Sequence, residues 1–138
     1  MVKDTWPGSG SSMGNPTVLA RWDGKLWFRA FRPDTGHELY RSNGKRVGTK
    51  LVRDINPGPD GSAPYSLTVA GDSLFFAATR SGSGRELWRS KGGAYLAKDI
   101  RPGAGDSDPF RLTRVGKRLY FIADGGSGHG IELWMWKP

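Results

Sequence analysis

The stretch LAKDIRPGAGDS, residues 96–107, has two relatives in the chain: LVRDINPGPDGS at 51–62 and VKDTWPGSGSS at 2–12. Each copy carries a basic residue, an Asp, a Pro-Gly pair and a later Ser. The copies and several Leu and Glu landmarks recur about every 46 residues, a period typical of propellers and other arrays whose single units cannot bury their apolar surface alone. The sequence therefore predicts three stacked units.

The composition favours one all-β domain spanning residues 1–138. The chain is 36% hydrophobic and 12% aromatic, which is enough for a packed core. Its 21 Gly and 9 Pro suit short strands joined by tight turns. The absence of Cys excludes disulfides and thiolate metal sites. We recognise neither a signal peptide nor a membrane-spanning apolar run, so no membrane association is expected and the compartment stays unknown.

Each unit contains a hairpin signal, a two-residue turn between apolar stretches. Asp23 and Gly24 suit a type I′ turn, whereas Gly71 and Gly116 in first position suit type II′ turns. A glycine-rich loop, a third strand beginning Glu-Leu and a fourth strand ending near Asp follow. The sequence therefore predicts four strands per unit.

Runs of adjacent apolar residues separate two architectures. LWF at 26–28, LFFAA at 74–78 and LYFIA at 119–123 place apolar side chains on both faces of a strand, as in a sheet covered on both sides. A β-trefoil, the alternative, also has three four-stranded repeats, but its barrel strands should alternate more cleanly. We therefore predict β-propeller blades. They span about residues 15–58, 63–103 and 108–138.

The GRELWRS segment at 84–90 and the stretch after it resemble the bacterial ELWxxDGT repeat family. The resemblance covers nearly the whole chain, with departures at Tyr40, Asn43 and a shortened 90–96 segment. It implies multi-bladed propellers, often found in long secreted or surface proteins, and it brings no ligand or reaction. Because the chain starts and stops within a blade, it also fits an excised or engineered three-blade fragment.

The order of the strand signals predicts how the array closes. The third unit shows three strands, and the signal for its fourth lies at residues 1–6. Propellers typically have four to eight blades, so three blades should not close alone. We expect a homodimer, two half-rings forming a six-bladed propeller, in which the N-terminal strand completes the last blade of the partner. The predicted assembly residues are Val2, Lys3, Asp4, Thr5, Glu132, Leu133, Trp134 and Trp136.

No catalytic or metal site emerges from the repeated polar residues. Glu38, Glu86 and Glu132 recur once per unit, and a residue needed in every unit is better explained by a structural hydrogen bond than by catalysis. The GSSMG pattern at 10–14 fits a hydrolase nucleophile motif but lies in a loop that all units share. We therefore expect no enzyme activity, no cofactor and no metal.

Ligand binding is expected at the loops between the second and third strands, which carry His37, Arg85 and His129. A net charge of +8 favours an anionic partner such as acidic polysaccharide or a bacterial surface. No nucleic-acid-binding motif accompanies the charge. The sequence predicts a binding or scaffold module, with a multivalent lectin as its most specific form. An enzyme with a site in the central channel, or a fragment without a selected ligand, remains the alternative.

Overall fold

The computed structural model describes residues 1–8, 10–13 and 18–137. This part of the chain is all-β, with three antiparallel sheets and no helix. Sheet 1 contains β1 (Leu19–Trp22), β2 (Lys25–Arg32), β3 (Gly36–Ser42) and β4 (Lys50–Arg53). Sheet 2 contains β5 (Tyr65–Ala70), β6 (Ser73–Arg80), β7 (Gly84–Ser90) and β8 (Ala94–Lys98). Sheet 3 contains β9 (Phe110–Val115), β10 (Arg118–Asp124) and β11 (Ile131–Trp136).

The first two strands of every sheet form the predicted hairpins. Asp23 and Gly24 have φ values of 51° and 65°, the two positive angles that a type I′ turn requires. Gly71 and Gly116, with φ values of 59° and 61°, supply the positive first position of a type II′ turn. The turn chemistry read from the sequence is confirmed.

The three sheets are separate units. Each pairs its strands in chain order, and no strand of one sheet pairs with a strand of another among the described residues. The barrel of a β-trefoil would require such pairing between units. The arrangement therefore argues against the trefoil alternative. The predicted unit limits at residues 15 and 138 lie outside the described residues.

Two apolar layers hold the sheets together. Sheet 2 contributes alternate residues to both layers, because neighbours such as Phe75 and Phe76 point to opposite faces of β6. Its apolar run is therefore covered on both sides, as the sequence predicted. The layer between sheets 1 and 2 includes Trp27, Leu39, Leu74, Phe76 and Trp88. The layer between sheets 2 and 3 includes Phe75, Leu87, Leu119, Phe121 and Trp134.

Candidate functional site

A buried glutamate on β3 holds the linker between sheets 1 and 2. Glu38 is fully buried and accepts hydrogen bonds from the backbone amides of Asn56 (3.1 Å) and Ser62 (2.9 Å). The Ser62 hydroxyl donates to its second oxygen at 2.5 Å. The carboxyl group thus satisfies backbone donors that would otherwise lie buried without partners.

Glu86 repeats this arrangement between sheets 2 and 3. It is fully buried and accepts from the amides of Ile100 (2.7 Å) and Arg101 (3.3 Å) and from the Ser107 hydroxyl (2.7 Å). The recurring Ser of each linker is therefore the partner of the recurring Glu. Sequence analysis identified Glu as structural but missed the Ser, although both recur once per unit.

Burial controls the ionisation of these two carboxyl groups. It raises the pKa of Glu38 and of Glu86, and the hydrogen bonds from Ser62 and Ser107 respectively only partly oppose that shift. Both groups lie beneath a linker, with their oxygens occupied by protein donors. This geometry anchors a chain segment and leaves the carboxylates no access to a substrate.

Glu132 occupies the equivalent position in sheet 3 but is free of these contacts. The strand registers place it opposite Ala123, as Glu38 lies opposite Ala30 and Glu86 opposite Ala78. Its side chain is exposed, and it forms no hydrogen bond or ion pair with residues 1–8, 10–13 or 18–137. Sheet 3 therefore presents an unoccupied copy of the carboxylate site.

The outer face of sheet 3 is apolar and uncovered. Leu133 is 71% exposed and Ile131 69% exposed, whereas Leu39 and Leu87, the equivalents of Leu133, are fully buried. Together with Tyr120 and Ile122, Leu133 lines a shallow groove on this face. A contiguous apolar surface of this kind is a common mark of an interaction site.

The N-terminal segment, residues 1–8 and 10–13, lies on the outer face of sheet 1. The Phe31 amide donates to the Ser12 carbonyl at 2.8 Å. The same bond joins the next linkers to their sheets, from Thr79 to Ser62 (2.9 Å) and from Asp124 to Ser107 (2.8 Å). Ser12 is thus attached to sheet 1 as Ser62 is attached to sheet 2 and Ser107 to sheet 3.

A second contact repeats the same geometry nearer the N-terminus. The Lys3 ammonium group donates to the Thr49 carbonyl at 2.8 Å, and the Arg53 guanidinium donates to the Ala94 carbonyl at 2.9 Å. Lys3 and Arg53 each precede the Asp of their linker copy. The N-terminal segment therefore has the position of a linker that arrives from a preceding sheet. It forms no strand within the described residues.

A groove of about 190 Å³ remains between this segment and sheet 1. Thr5 on its wall is buried, and its hydroxyl has no hydrogen-bond partner among the described residues. Ile55 and Ile100 occupy this position in the other linkers, and both belong to apolar layers. The apolar part of the wall is formed by Val2, Met13, Leu26 and Phe28.

The other predicted assembly residues divide between two environments. On the N-terminal segment, an Asp4 carboxylate oxygen accepts a hydrogen bond from the Trp6 amide at 3.1 Å. On β11, Trp134 and Trp136 pack inward against the layer between sheets 2 and 3, with Trp136 5.8 Å from the Phe75 ring. The alternate residues of β11, namely Ile131, Leu133 and Met135, face outward.

The three predicted ligand-binding residues do not form one site. His37 packs against Phe31 with ring centroids 5.0 Å apart, and burial lowers its pKa. Arg85 forms an ion pair with Asp108 at 2.8 Å. His129 is exposed in the loop before β11. The β11 residue equivalent to His37 and Arg85 is Ile131, which lies two residues further along the chain. These three side chains share no hydrogen bond, ion pair or ring contact in the described part of the chain.

One end of the sheets is strongly basic. It contains the hairpin turns and the connections from β3 to β4 and from β7 to β8, and the Arg41 guanidinium donates to the Gly92 carbonyl across sheets 1 and 2 at 3.2 Å. Of the 13 Asp and Glu residues, only Asp23 and Asp72 lie here, and each is paired with a lysine. The cations at this end include Lys25, Lys45, Arg46, Lys91, Lys117 and Arg118.

Comparison with known proteins does not assign the chain to a family: no family model, curated protein or solved structure matches it. Within the described residues, no helix has the length and apolar character that a membrane span needs.

Proposed function

We propose that the chain is half of a six-bladed β-propeller, which assembles as a homodimer and serves as a non-catalytic binding or scaffold module. The observation that carries the proposal is the pair of outer sheet faces, one bare on sheet 3 and one holding an open groove on sheet 1. Each internal junction joins the Leu39-type face of one sheet to the Phe76-type face of the next. Sheet 3 presents the first type outward through Leu133. On sheet 1 the second type is the face of Leu26 and Phe28, where Phe28 is buried beside the N-terminal segment and Leu26 is 43% exposed in the open groove.

A two-fold axis covers the bare face of sheet 3 and the open groove on sheet 1 at once. Sheet 3 of each copy stacks on sheet 1 of the other, so two junctions equivalent to the internal ones form together. Six blades fall within the range of known propellers, whereas three do not. The ELWxxDGT resemblance, which implies propeller blades, is consistent with this closure.

A role without catalysis agrees with the use of the repeated carboxylates. The oxygens of Glu38 and Glu86 accept hydrogen bonds from linker donors, and in the proposed assembly Glu132 accepts the equivalent bonds from a linker of the second copy. Function then resides on the exposed loops and rims, which a ring presents in multiple copies. A scaffold or lectin-like module fits that surface better than an enzyme does.

The assembly is tested by light scattering coupled to size exclusion. We expect a mass of twice the chain's 15.1 kDa. Leu133→Asp should give a folded monomer because the aspartate cannot enter an apolar junction. Val47→Asp is the matched control, since Val47 is 92% exposed on the connection between β3 and β4. A wild-type monomer that persists at high concentration contradicts the proposal.

A second candidate function is binding of an acidic polysaccharide, which the charge segregation favours. The basic end carries more cations than its two aspartates, which are each paired with a lysine, so this rim attracts a polyanion. A dimer presents two such rims and should bind a polyanion more tightly. The probe is polygalacturonate, with neutral dextran as the control ligand. Lys45→Glu with Arg46→Glu should weaken binding about tenfold or more at low salt.

Two further variants locate the glycan site. Arg32→Glu with Arg80→Glu makes the same charge change at the other end of the sheets and should leave the affinity for polygalacturonate nearly unchanged. Replacing His37, Arg85 and His129 together by Ala tests the loop site predicted from the sequence. Loss of binding only in this triple variant would move the site from the basic end to those loops.

A further inference from the structure

We infer that Glu132 and Leu133 of one copy dock onto the N-terminal segment of a second copy, so that the Ser12 hydroxyl and the Thr5 amide donate hydrogen bonds to the Glu132 carboxylate. The inference rests on the proposed assembly and identifies the contacts that hold it. It also explains why the N-terminal segment has the sequence of a linker although no described sheet precedes it.

The carboxylate half follows from two filled examples in the same molecule. Counting from the Asp of each linker copy, the first residue after it is Thr5, Ile55 or Ile100, and the eighth is Ser12, Ser62 or Ser107. In both filled examples the eighth residue donates its hydroxyl to the glutamate, and an amide just after the Asp donates as well. The Ser12 hydroxyl and the Thr5 amide are the corresponding donors, whereas the Trp6 amide already donates to Asp4 at 3.1 Å. Ser12 is already fixed to sheet 1, because its carbonyl accepts from the Phe31 amide.

The apolar half follows from the leucine beside each glutamate. Leu39 is packed in the layer with Leu74 and Phe76, and Leu87 is packed in the layer with Leu119 and Phe121. The equivalent pair in sheet 1 is Leu26 and Phe28, which line the open groove beside Val2. Leu133, 71% exposed, is the side chain whose equivalents fill that place.

A second copy is the occupant because both halves of the junction are unfilled in the same molecule. Glu132 and Leu133 lie exposed on sheet 3, and the groove beside Ser12 on sheet 1 is open. A second copy brings each missing half to the other and continues an interface that the chain already contains twice. No new chemistry has to be invoked for the fit.

The test is cross-linking between two single-cysteine chains, which the absence of native Cys makes unambiguous. Chains carrying Ser12→Cys and Glu132→Cys are mixed under oxidising conditions, and a disulfide-linked pair is expected on a non-reducing gel. In the matched control, Val47→Cys replaces Glu132→Cys, and no specific link should form. As a second measurement, Glu132→Ala should weaken dimerisation about 10- to 100-fold.

The outcomes separate the two proposals. A linked pair together with weakened dimerisation supports the docking. A dimer that forms no link and tolerates Glu132→Ala overturns the docking but leaves the assembly intact. A protein that is monomeric throughout overturns both. A link of equal yield in the Val47 control also overturns the docking, because it shows random collision.

Discussion

The junction between sheets 1 and 2 and the outer face of sheet 3 are built from equivalent residues in opposite environments. Leu39 is fully buried and Leu133 is 71% exposed. Glu38 accepts three hydrogen bonds from a linker, whereas Glu132 accepts none from the described residues. The difference comes from the neighbour that covers the strand, and the strand sequence is nearly the same. A repeat therefore specifies a surface, and the adjacent unit converts that surface into a core.

Shortening the equivalent leucines should give the largest difference between the two regions. Leu87→Ala should lower the free energy of unfolding by about 2–5 kcal/mol, because it leaves a cavity between sheets 2 and 3. Leu133→Ala should change it by less than about 0.5 kcal/mol when measured below the dimer dissociation constant. Urea denaturation of both variants checks this. Equal losses would mean that Leu133 is already covered within one chain.

Removing the equivalent carboxylates should give the next largest difference in stability. Glu86→Ala leaves the Ile100 and Arg101 amides without their acceptor, while the Ser107 hydroxyl keeps the Arg85 carbonyl at 3.1 Å; the loss should cost about 2–3 kcal/mol. In dilute protein Glu132→Ala should be nearly neutral, since no such donor depends on it. Thermal unfolding of the two variants at matched low concentration measures the contrast. A large loss in Glu132→Ala would show that its site is filled in the monomer.

The equivalent glycines give a smaller contrast. Gly84 and Gly130 have φ values of 66° and 64°, so Ala is strained at both. A Cβ on Gly84 would also lie 2.4 Å from the Gly105 carbonyl oxygen, whereas one on Gly130 meets nothing within 4 Å. Gly84→Ala should therefore cost about 1–2 kcal/mol more than Gly130→Ala. Similar losses in chemical denaturation would mean that the linker at Gly105 yields freely.

The pH dependence of the buried carboxylates should be the smallest effect. Because burial raises the pKa of Glu86 in the folded state, the folded protein binds the proton more tightly than the unfolded chain does. Stability from this group is therefore greatest below its unfolded pKa and is lost as pH rises through its folded pKa. The melting temperature of wild type relative to Glu86→Gln should rise as the pH is lowered from 7 towards 5. A constant difference would contradict the raised pKa.

The sequence predicted the strands well and the partners of polar residues less well. The hairpins at Asp23, Gly71 and Gly116 followed from turn chemistry, which depends on only two residues and their φ preferences. The linker contacts between Glu38 and Ser62 were missed because they join residues 24 positions apart. The predicted pairing of residues 1–6 with a partner remains a prediction.

The predicted equivalence of the loop histidines also failed for a reason that the sequence does not show. His37 and His129 resemble each other in sequence context, but the strand register sets Ile131, and not His129, at the position of His37. Register depends on pairing along a whole strand, so loops of unequal length shift neighbouring residues out of equivalence.

By itself, the sequence determined the repeat, the strand count of sheets 1 and 2 and the turn types, because these depend on local backbone preference and apolar pattern. Only the tertiary structure decided which copies of the repeated Glu and Leu are buried. Burial depends on which neighbouring sheet and linker lie within contact distance, and three nearly identical strand sequences carry no information about which of them has such a neighbour.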